Sequence, residues 1–206
     1  MTAPEELQRW RKERRAELIA RRMAVSPEEH RRHNEAITTY LLEGFPQLRS
    51  MIVSCYWPFR GEFDPRFAIR GLLDRGARAA LPVVVQKGAA LRFSQWWPGA
   101  PMKTGAVYSL PVPDGTDVVT PDALLIPPVG FDARGYRLGY GGGYFDRTLA
   151  AFSPMPLRIG VGFELSRIPT IRPQAHDIPM DYIVTEAGIH QVGAGGLALT
   201  CTRAAN

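Results

Sequence analysis

Gly135-Tyr-Arg-Leu-Gly-Tyr-Gly-Gly-Gly-Tyr-Phe-Asp-Arg147 lies between an apolar run, Leu124-Leu-Ile-Pro-Pro-Val129, and Thr148-Leu-Ala-Ala-Phe152. The order predicts strand, glycine loop, helix. Glycines at 139, 141, 142 and 143 remove nearly every Cβ from the turn, so backbone N–H groups can converge on an anion, and the start of the following helix adds a partial positive charge. Read alone, the same glycines also fit a tight bend with no ligand. Two better-known glycine motifs are excluded. A dinucleotide G-x-G-x-x-G beginning at Gly139 would need glycine where the chain has Tyr144, and the Gly-Lys-Ser/Thr of a Walker loop is absent. Arg137 and Arg147 bracket the loop. Asp146 falls in the first helical turn, where a carboxylate suits the dipole and could hold a divalent cation.

Outward from the loop, short β-prone runs alternate with helical patterns. Met51-Ile-Val-Ser-Cys-Tyr-Trp57 reads as a buried strand, Asp64-Pro65 starts a helix through Leu73, and Arg78-Ala-Ala-Leu-Pro-Val-Val-Val85 returns to strand after Gly76, completing a β-α-β unit. Leu91 to Trp97 alternates enough for a further strand. The proline- and glycine-rich segment from Pro98 to Pro113 is expected to be a long loop over a site. Ala123 to Ile126, Leu157 to Phe163 and Asp181 to Thr185 supply the remaining strands. The pattern predicts a three-layer α/β/α sandwich with a mostly parallel sheet, whose ligands bind beyond the carboxyl ends of the strands.

Two helices precede the first strand. Pro4 to Met23 contains no glycine or internal proline, and Ser26-Pro27-Glu28-Glu29 is a strong start for a second helix to about Leu42. The first is strongly basic, with Arg9, Arg11, Lys12, Arg14, Arg15, Arg21 and Arg22 against Glu13 and Glu17. Arg11 and Arg15, four apart, share one face and could converge on a polyanion; taken by itself, such a run reads more plainly as a solvated basic face with Glu partners.

The 206 residues, 45% hydrophobic and 22% charged, are ordinary for one globular domain, expected over 1–190, with the Ala/Gly-rich 191–206 as a loosely ordered tail. Cys55 and Cys201 are far apart and belong to no Cys/His cluster, so neither a zinc site nor a disulfide framework is indicated. No apolar run approaches a membrane span, and the first helix does not read as a signal peptide. A soluble, cytoplasmic chain is expected. The net charge of +5 does not choose among nucleic acid, membrane surface and small anions.

Phe131 to Arg147 closely resembles the signature of 5-formyltetrahydrofolate cyclo-ligases, also called methenyltetrahydrofolate synthetases. The resemblance extends from the first helix to about Glu186. Arg11-Lys12-Glu-Arg-Arg15 is similar to the family's N-terminal basic motif that contacts nucleotide phosphates, with Arg11 where lysine is usual. The resemblance implies that Arg11, Lys12, Arg15 and the loop residues Arg137, Leu138, Gly139, Tyr140, Gly141, Gly142, Gly143, Tyr144 and Phe145 bind ATP. It also implies that Glu62, in Gly61-Glu-Phe-Asp64, and Tyr140 to Tyr144 meet the folate. A carboxylate is apt there because a pterin offers adjacent N–H donors; without the resemblance, a solvated loop glutamate is the plainer reading. Asp146 matches a magnesium ligand, with Asp177 as its partner and Asp181 as the weaker candidate, in His176-Asp-Ile-Pro-Met-Asp181. His176 reads as a loop histidine. Trp96 and Trp97 could stack on the folate, although at least one belongs to the core by residue type.

The implied activity is ATP-dependent cyclisation of 5-formyltetrahydrofolate to 5,10-methenyltetrahydrofolate with release of ADP and phosphate. The formyl oxygen attacks the γ-phosphate, N10 closes on the activated carbon, and phosphate leaves. No covalent nucleophile is required, Mg²⁺ is the expected cofactor, and the expected state is a monomer with neither nucleic-acid nor membrane partners. The other readings are a binding homologue without turnover and a nucleic-acid binder using the basic helix, the latter lacking any recognisable motif.

Overall fold

The protein is described by a computed structural model over residues 2–202. Helix α1 (Ala3–Met23) opens where the Glu5 carboxylate accepts from Thr2 N–H at 2.8 Å. Helix α2 (Pro27–Gly44) opens where Ser26 Oγ accepts from Glu29 N–H at 3.2 Å, with proline at the first helical position. There follow β1 (Ile52–Ser54), α3 (Arg66–Leu73), β2 (Arg78–Val83), β3 (Arg92–Trp96), a hairpin of β4 (Met102–Thr104) and β5 (Pro111–Pro113), and β6 (Ala123–Ile126). The hairpin β7 (Gly130–Phe131) and β8 (Arg137–Leu138) precedes α4 (Tyr144–Ala150), β9 (Leu157–Val161), β10 (Tyr182–Thr185), β11 (Gly188–Gly193) and β12 (Gly196–Cys201).

Eight strands form one sheet in the order β12-β11-β10-β9-β6-β1-β2-β3. The five from β10 to β2 run parallel, while β3 pairs antiparallel at one edge and the β11–β12 hairpin at the other. Side chains alternate across the sheet as the pleat requires. Ala123 and Leu125 of β6 and Ile159 and Val161 of β9 join the core formed with Ile37 and Leu41 of α2 and Ile69 and Leu72 of α3. Leu124 and Ile126 turn to the opposite core, which contains Leu149 of α4. Helices therefore cover both faces, giving the α/β fold read from the sequence. A third cluster joins Leu18 of α1 to Val129, Leu138, Ile168 and Ile171, so α1 lies over the β7–β8 hairpin.

The connections decide where a site can form. From β1 the chain crosses through α3 to β2 on one side, whereas from β6 it crosses through α4 to β9 on the other, so the order reverses between β1 and β6. Such a reversal leaves a crevice outside the carboxyl ends of the strands. Two expectations are corrected. Residues 98–113 are not wholly irregular, since β4 and β5 pair over three register positions. The expected loose tail contains a paired strand, because Leu197 packs on the core and β12 pairs with β11 from Gly196 to Cys201; glycine-rich composition hid that short pattern. Residues 203–206 of that expectation lie outside the described residues.

Candidate functional site

A cavity of about 580 Å³ occupies the crevice, walled by Tyr56 and Trp57 beyond β1, Pro82 and Val84 at the end of β2, Pro127 beyond β6, and the glycine loop. Gly141 and Gly143 adopt φ of +98° and +64°, the left-handed region that a Cβ disfavours. Among the described residues, the backbone N–H groups of Tyr140, Gly141, Gly142 and Gly143 donate to no protein acceptor. Two neighbouring carbonyls are taken by arginines: Arg15 Nε donates to Gly139 O at 2.6 Å, and Arg147 Nη2 donates to Gly142 O. The loop thus offers donors to the cavity, and unpaired N–H groups beside cations suit an anion.

Arg11 and Arg15 both line the cavity, as their spacing of four predicts. Arg11 Nη2 bonds Asp177 Oδ2 at 2.6 Å and Arg172 O at 2.9 Å, while its buried Nε has no partner among the described residues. The Arg15 pKa is lowered, chiefly by burial and then by Arg11, with Asp177 opposing. Lys12 is exposed and outside the cavity lining, because one residue further along a helix turns the side chain to another face.

Asp146 and Asp177 line the same cavity, and each has one oxygen engaged with an arginine. Asp146 Oδ1 accepts from Arg137 Nη2 at 2.7 Å and from Ile178 N–H at 3.1 Å; Asp177 Oδ2 also accepts from Gln174 N–H at 2.7 Å. The other oxygens, Asp146 Oδ2 and Asp177 Oδ1, accept no hydrogen bond among the described residues. Arg137, expected at the nucleotide, is buried between Asp146, Ile178 O and the Phe145 ring, and burial lowers its pKa against the pull of Asp146. Asp181 is not brought to the site. Both its oxygens meet Arg158 at the junction of β9 and β10.

Glu62 lines the same cavity and is only 5% exposed, which removes the solvated-loop reading. Its Oε1 accepts from Tyr140 Oη at 2.9 Å, its Oε2 accepts from Phe59 N–H at 2.9 Å, and Arg22 Nη2 lies 3.8 Å from Oε1. Burial pushes its pKa up from the ordinary carboxylate value, opposed by Arg22, Tyr140 and the Phe59 N–H. Asn34 of α2 steadies the chain two residues on, accepting from Asp64 N–H at 2.7 Å.

Sequence reasoning missed three aromatics. Trp57 and Phe59 line the Glu62 end, whereas Trp96 is core and Trp97 is exposed outside the cavity lining. Tyr108, at the tip of the β4–β5 hairpin, meets Tyr144 edge to face with centroids 5.8 Å apart. The expected loop over the site therefore does reach it. The one available sign was the position of Trp57 just after an apolar strand, since such ends face the crevice. Arg22, read as part of a basic face, is buried.

Comparison with known proteins covers nearly the whole of this architecture. The sequence model described as the 5-formyltetrahydrofolate cyclo-ligase family matches residues 7–186. The chain is 28% identical over 175 residues to the 5-formyltetrahydrofolate cyclo-ligase of Escherichia coli K12, covering 82% of this chain and 96% of that one. Its fold is similar to that of Aquifex aeolicus 5,10-methenyltetrahydrofolate synthetase, with a TM-score of 0.77 and 28% identity over 94% of this chain and 97% of that one. The fold of a Mycoplasma pneumoniae 5,10-methenyltetrahydrofolate synthetase also matches, with a TM-score of 0.69 and 22% identity over 85% and 98% of the two chains.

Proposed function

The chain belongs to the 5-formyltetrahydrofolate cyclo-ligase family, and from that we infer its reaction to be the ATP-dependent conversion of 5-formyltetrahydrofolate to 5,10-methenyltetrahydrofolate. The observation that carries the assignment of the site is that one cavity is lined both by the loop whose N–H groups are unpaired and by the buried Glu62. The nucleotide phosphates lie against Tyr140 to Gly143, Arg11 and Arg15, with the unpaired Arg11 Nε as a further donor. The folate lies toward Glu62, where two carboxylate oxygens accept adjacent pterin N–H groups and Trp57, Phe59 and Tyr144 supply apolar and aromatic walls.

In this arrangement the formyl oxygen attacks the γ-phosphorus as ADP departs; N10 then bonds the activated carbon and gives up its proton, and the oxygen leaves as phosphate, which carries that proton away. The protein positions a weak nucleophile in line, excludes water that would hydrolyse the phosphoryl group, and stabilises charge with preorganised donors. Asp146 and Asp177 would hold Mg²⁺. Each keeps an oxygen that accepts no hydrogen bond, with His176 Nε2 3.9 Å from that of Asp177, and because the described residues contain no cluster of three acidic, histidine or cysteine ligands, the remaining ligands would be phosphate oxygens and water. The cation, when bound, supplies charge neutralisation at those oxygens.

We place the enzyme in the cytoplasm as a monomer without nucleic-acid or membrane partners, a reading supported by its two unpaired cysteines and by the engagement of Arg11, Arg15 and Arg22 at the cleft. Among the described residues no helix is long and apolar enough to cross a membrane. The test is the absorbance of the methenyl product, expected only when ATP and Mg²⁺ are both present. In parallel, Glu62→Gln should lose roughly 1.5–3 kcal/mol, on the order of 10- to 100-fold in folate kcat/KM. Absence of methenyl product from the wild-type protein overturns the activity, and wild-type folate kinetics in Glu62→Gln overturn its site assignment.

A further inference from the structure

Every nitrogen of the Arg22 guanidinium is engaged within the protein, each with a different segment of the cavity wall. Nε donates to Arg60 O at 3.0 Å, Nη1 to Pro128 O at 3.4 Å, and Nη2 to Tyr140 Oη at 2.7 Å. The side chain is 3% exposed, although it sits in the last turn of a strongly basic helix. Arg60 belongs to the turn beyond β1, Pro128 to the segment beyond β6, and Tyr140 to the glycine loop. The turn it grips is unusual: Arg60 and Gly61 take successive φ of +48° and +71°, and the first is not a glycine. A left-handed non-glycine residue persists when its surroundings over-determine it, and the bond from Arg22 to the Arg60 carbonyl is one such restraint.

We propose that Arg22 is a positioning residue for the reaction, holding the charge and place of the Glu62 carboxylate and linking it through Tyr140 to the glycine loop. Glu62 is faced by Arg22 from α1, Tyr140 from the loop and Tyr56 from the segment beyond β1. His30 of α2 meets its backbone carbonyl at 3.1 Å, and Arg60 stacks on Phe59. Of these groups only Arg22 brings a permanent charge within 4 Å of the carboxylate. Without it, burial acts on Glu62 with no opposing cation, and the carboxylate takes up a proton at higher pH. A protonated Glu62 presents an O–H where the pterin presents N–H groups.

The inference rests on the folate assignment of Glu62, so the test includes that residue. Arg22→Met, Arg22→Lys and Glu62→Gln are compared with each substrate varied in turn from acid to neutral pH, alongside calorimetric ATP binding. Arg22→Met should lower folate kcat/KM about tenfold or more, leave ATP affinity within about threefold, and move the acid limb of folate kcat/KM to higher pH. Arg22→Lys should restore the limb, because it keeps the charge, but retain a raised folate KM, because one ammonium does not reproduce the fork. An unshifted limb in Arg22→Met, with equal losses for both substrates or a lowered melting temperature alone, reduces Arg22 to a structural residue. Should Arg22→Met not fold, a wild-type folate KM in Arg22→Lys overturns the proposal. Wild-type folate kinetics in Glu62→Gln overturn the folate assignment and the proposal with it, whereas an impaired Glu62→Gln beside an unshifted Arg22→Met overturns the positioning role alone.

Discussion

Asp146 faces two demands, because the carboxylate proposed for the cation also matches the charge of Arg137, whose side chain is buried. Asp146→Asn keeps an acceptor oxygen for Arg137 and Ile178 but removes the charge, and a buried cation without its partner is costly. The variant should require more Mg²⁺ for turnover and lose about 1–3 kcal/mol of stability. At about 2–4 °C per kcal/mol for a chain of this size, a thermal melt resolves the second effect; an unchanged melt would separate Asp146 from Arg137. A second titration lies away from the cleft, where His190 of β11 is buried near Arg167, and its pKa is lowered first by burial and then by that cation. Its folded pKa is below its unfolded one, so the unfolded chain takes up the proton first, and stability present above about pH 6.5 is lost as pH falls toward the folded value. His190→Gln should flatten that part of the melting temperature–pH curve. A curve with the same slope would assign the loss to other groups.

The glycine loop and α1 act as elements. Gly142 does not need a positive φ; a Cβ there would lie 2.6 Å from the Tyr144 ring, while Gly141 and Gly143 carry the left-handed turns. Gly142→Val should therefore displace Tyr144 and the loop together, abolishing ATP binding by calorimetry while folding survives; retained affinity would mean that the loop is only a bend. On α1, Arg15→Ala removes the bond to Gly139 O and a cation at the cavity, and the KM for ATP should rise roughly 10-fold or more. Arg21→Ala removes the same charge from an exposed position and should leave that KM unchanged. Equal effects would point to a diffuse field rather than a contact. The spacing of Arg11 and Arg15 was legible in the sequence because helical periodicity alone puts them on one face. The placement of Arg22 was not, because its acceptors lie 38, 106 and 118 residues away.

At the scale of the molecule, the cavity is assembled from α1, the segments beyond β1 and β6, the β4–β5 hairpin and the glycine loop, so ligands bind only when the chain is folded. At about 100 times its dissociation constant, a substrate should add about 2.7 kcal/mol and raise the melting temperature by roughly 5–11 °C. Mg-ATP should produce that rise in the wild type and not in Gly142→Val. The same rise in both would place the nucleotide elsewhere. The strands of the parallel core were readable because local alternation and β-branched runs determine which residues turn inward, and Met51 to Trp57, Ala123 to Ile126 and Leu157 to Phe163 all contain such strands. The cradle was readable for a similar reason, since glycine conformational freedom is a local property and Tyr140 to Gly143 carry it in their own sequence. Tertiary structure alone decided that Glu62 is buried beside Arg22, that Asp181 pairs with Arg158 while Asp146 and Asp177 reach the cavity, and that residues 196–201 become an edge strand. Those outcomes depend on which distant segment arrives alongside, information that residue type and spacing do not contain: β9 beside β10 sets the Asp181 pair, β11 beside β12 makes the edge strand, and the reversal of order between β1 and β6 opens the cavity.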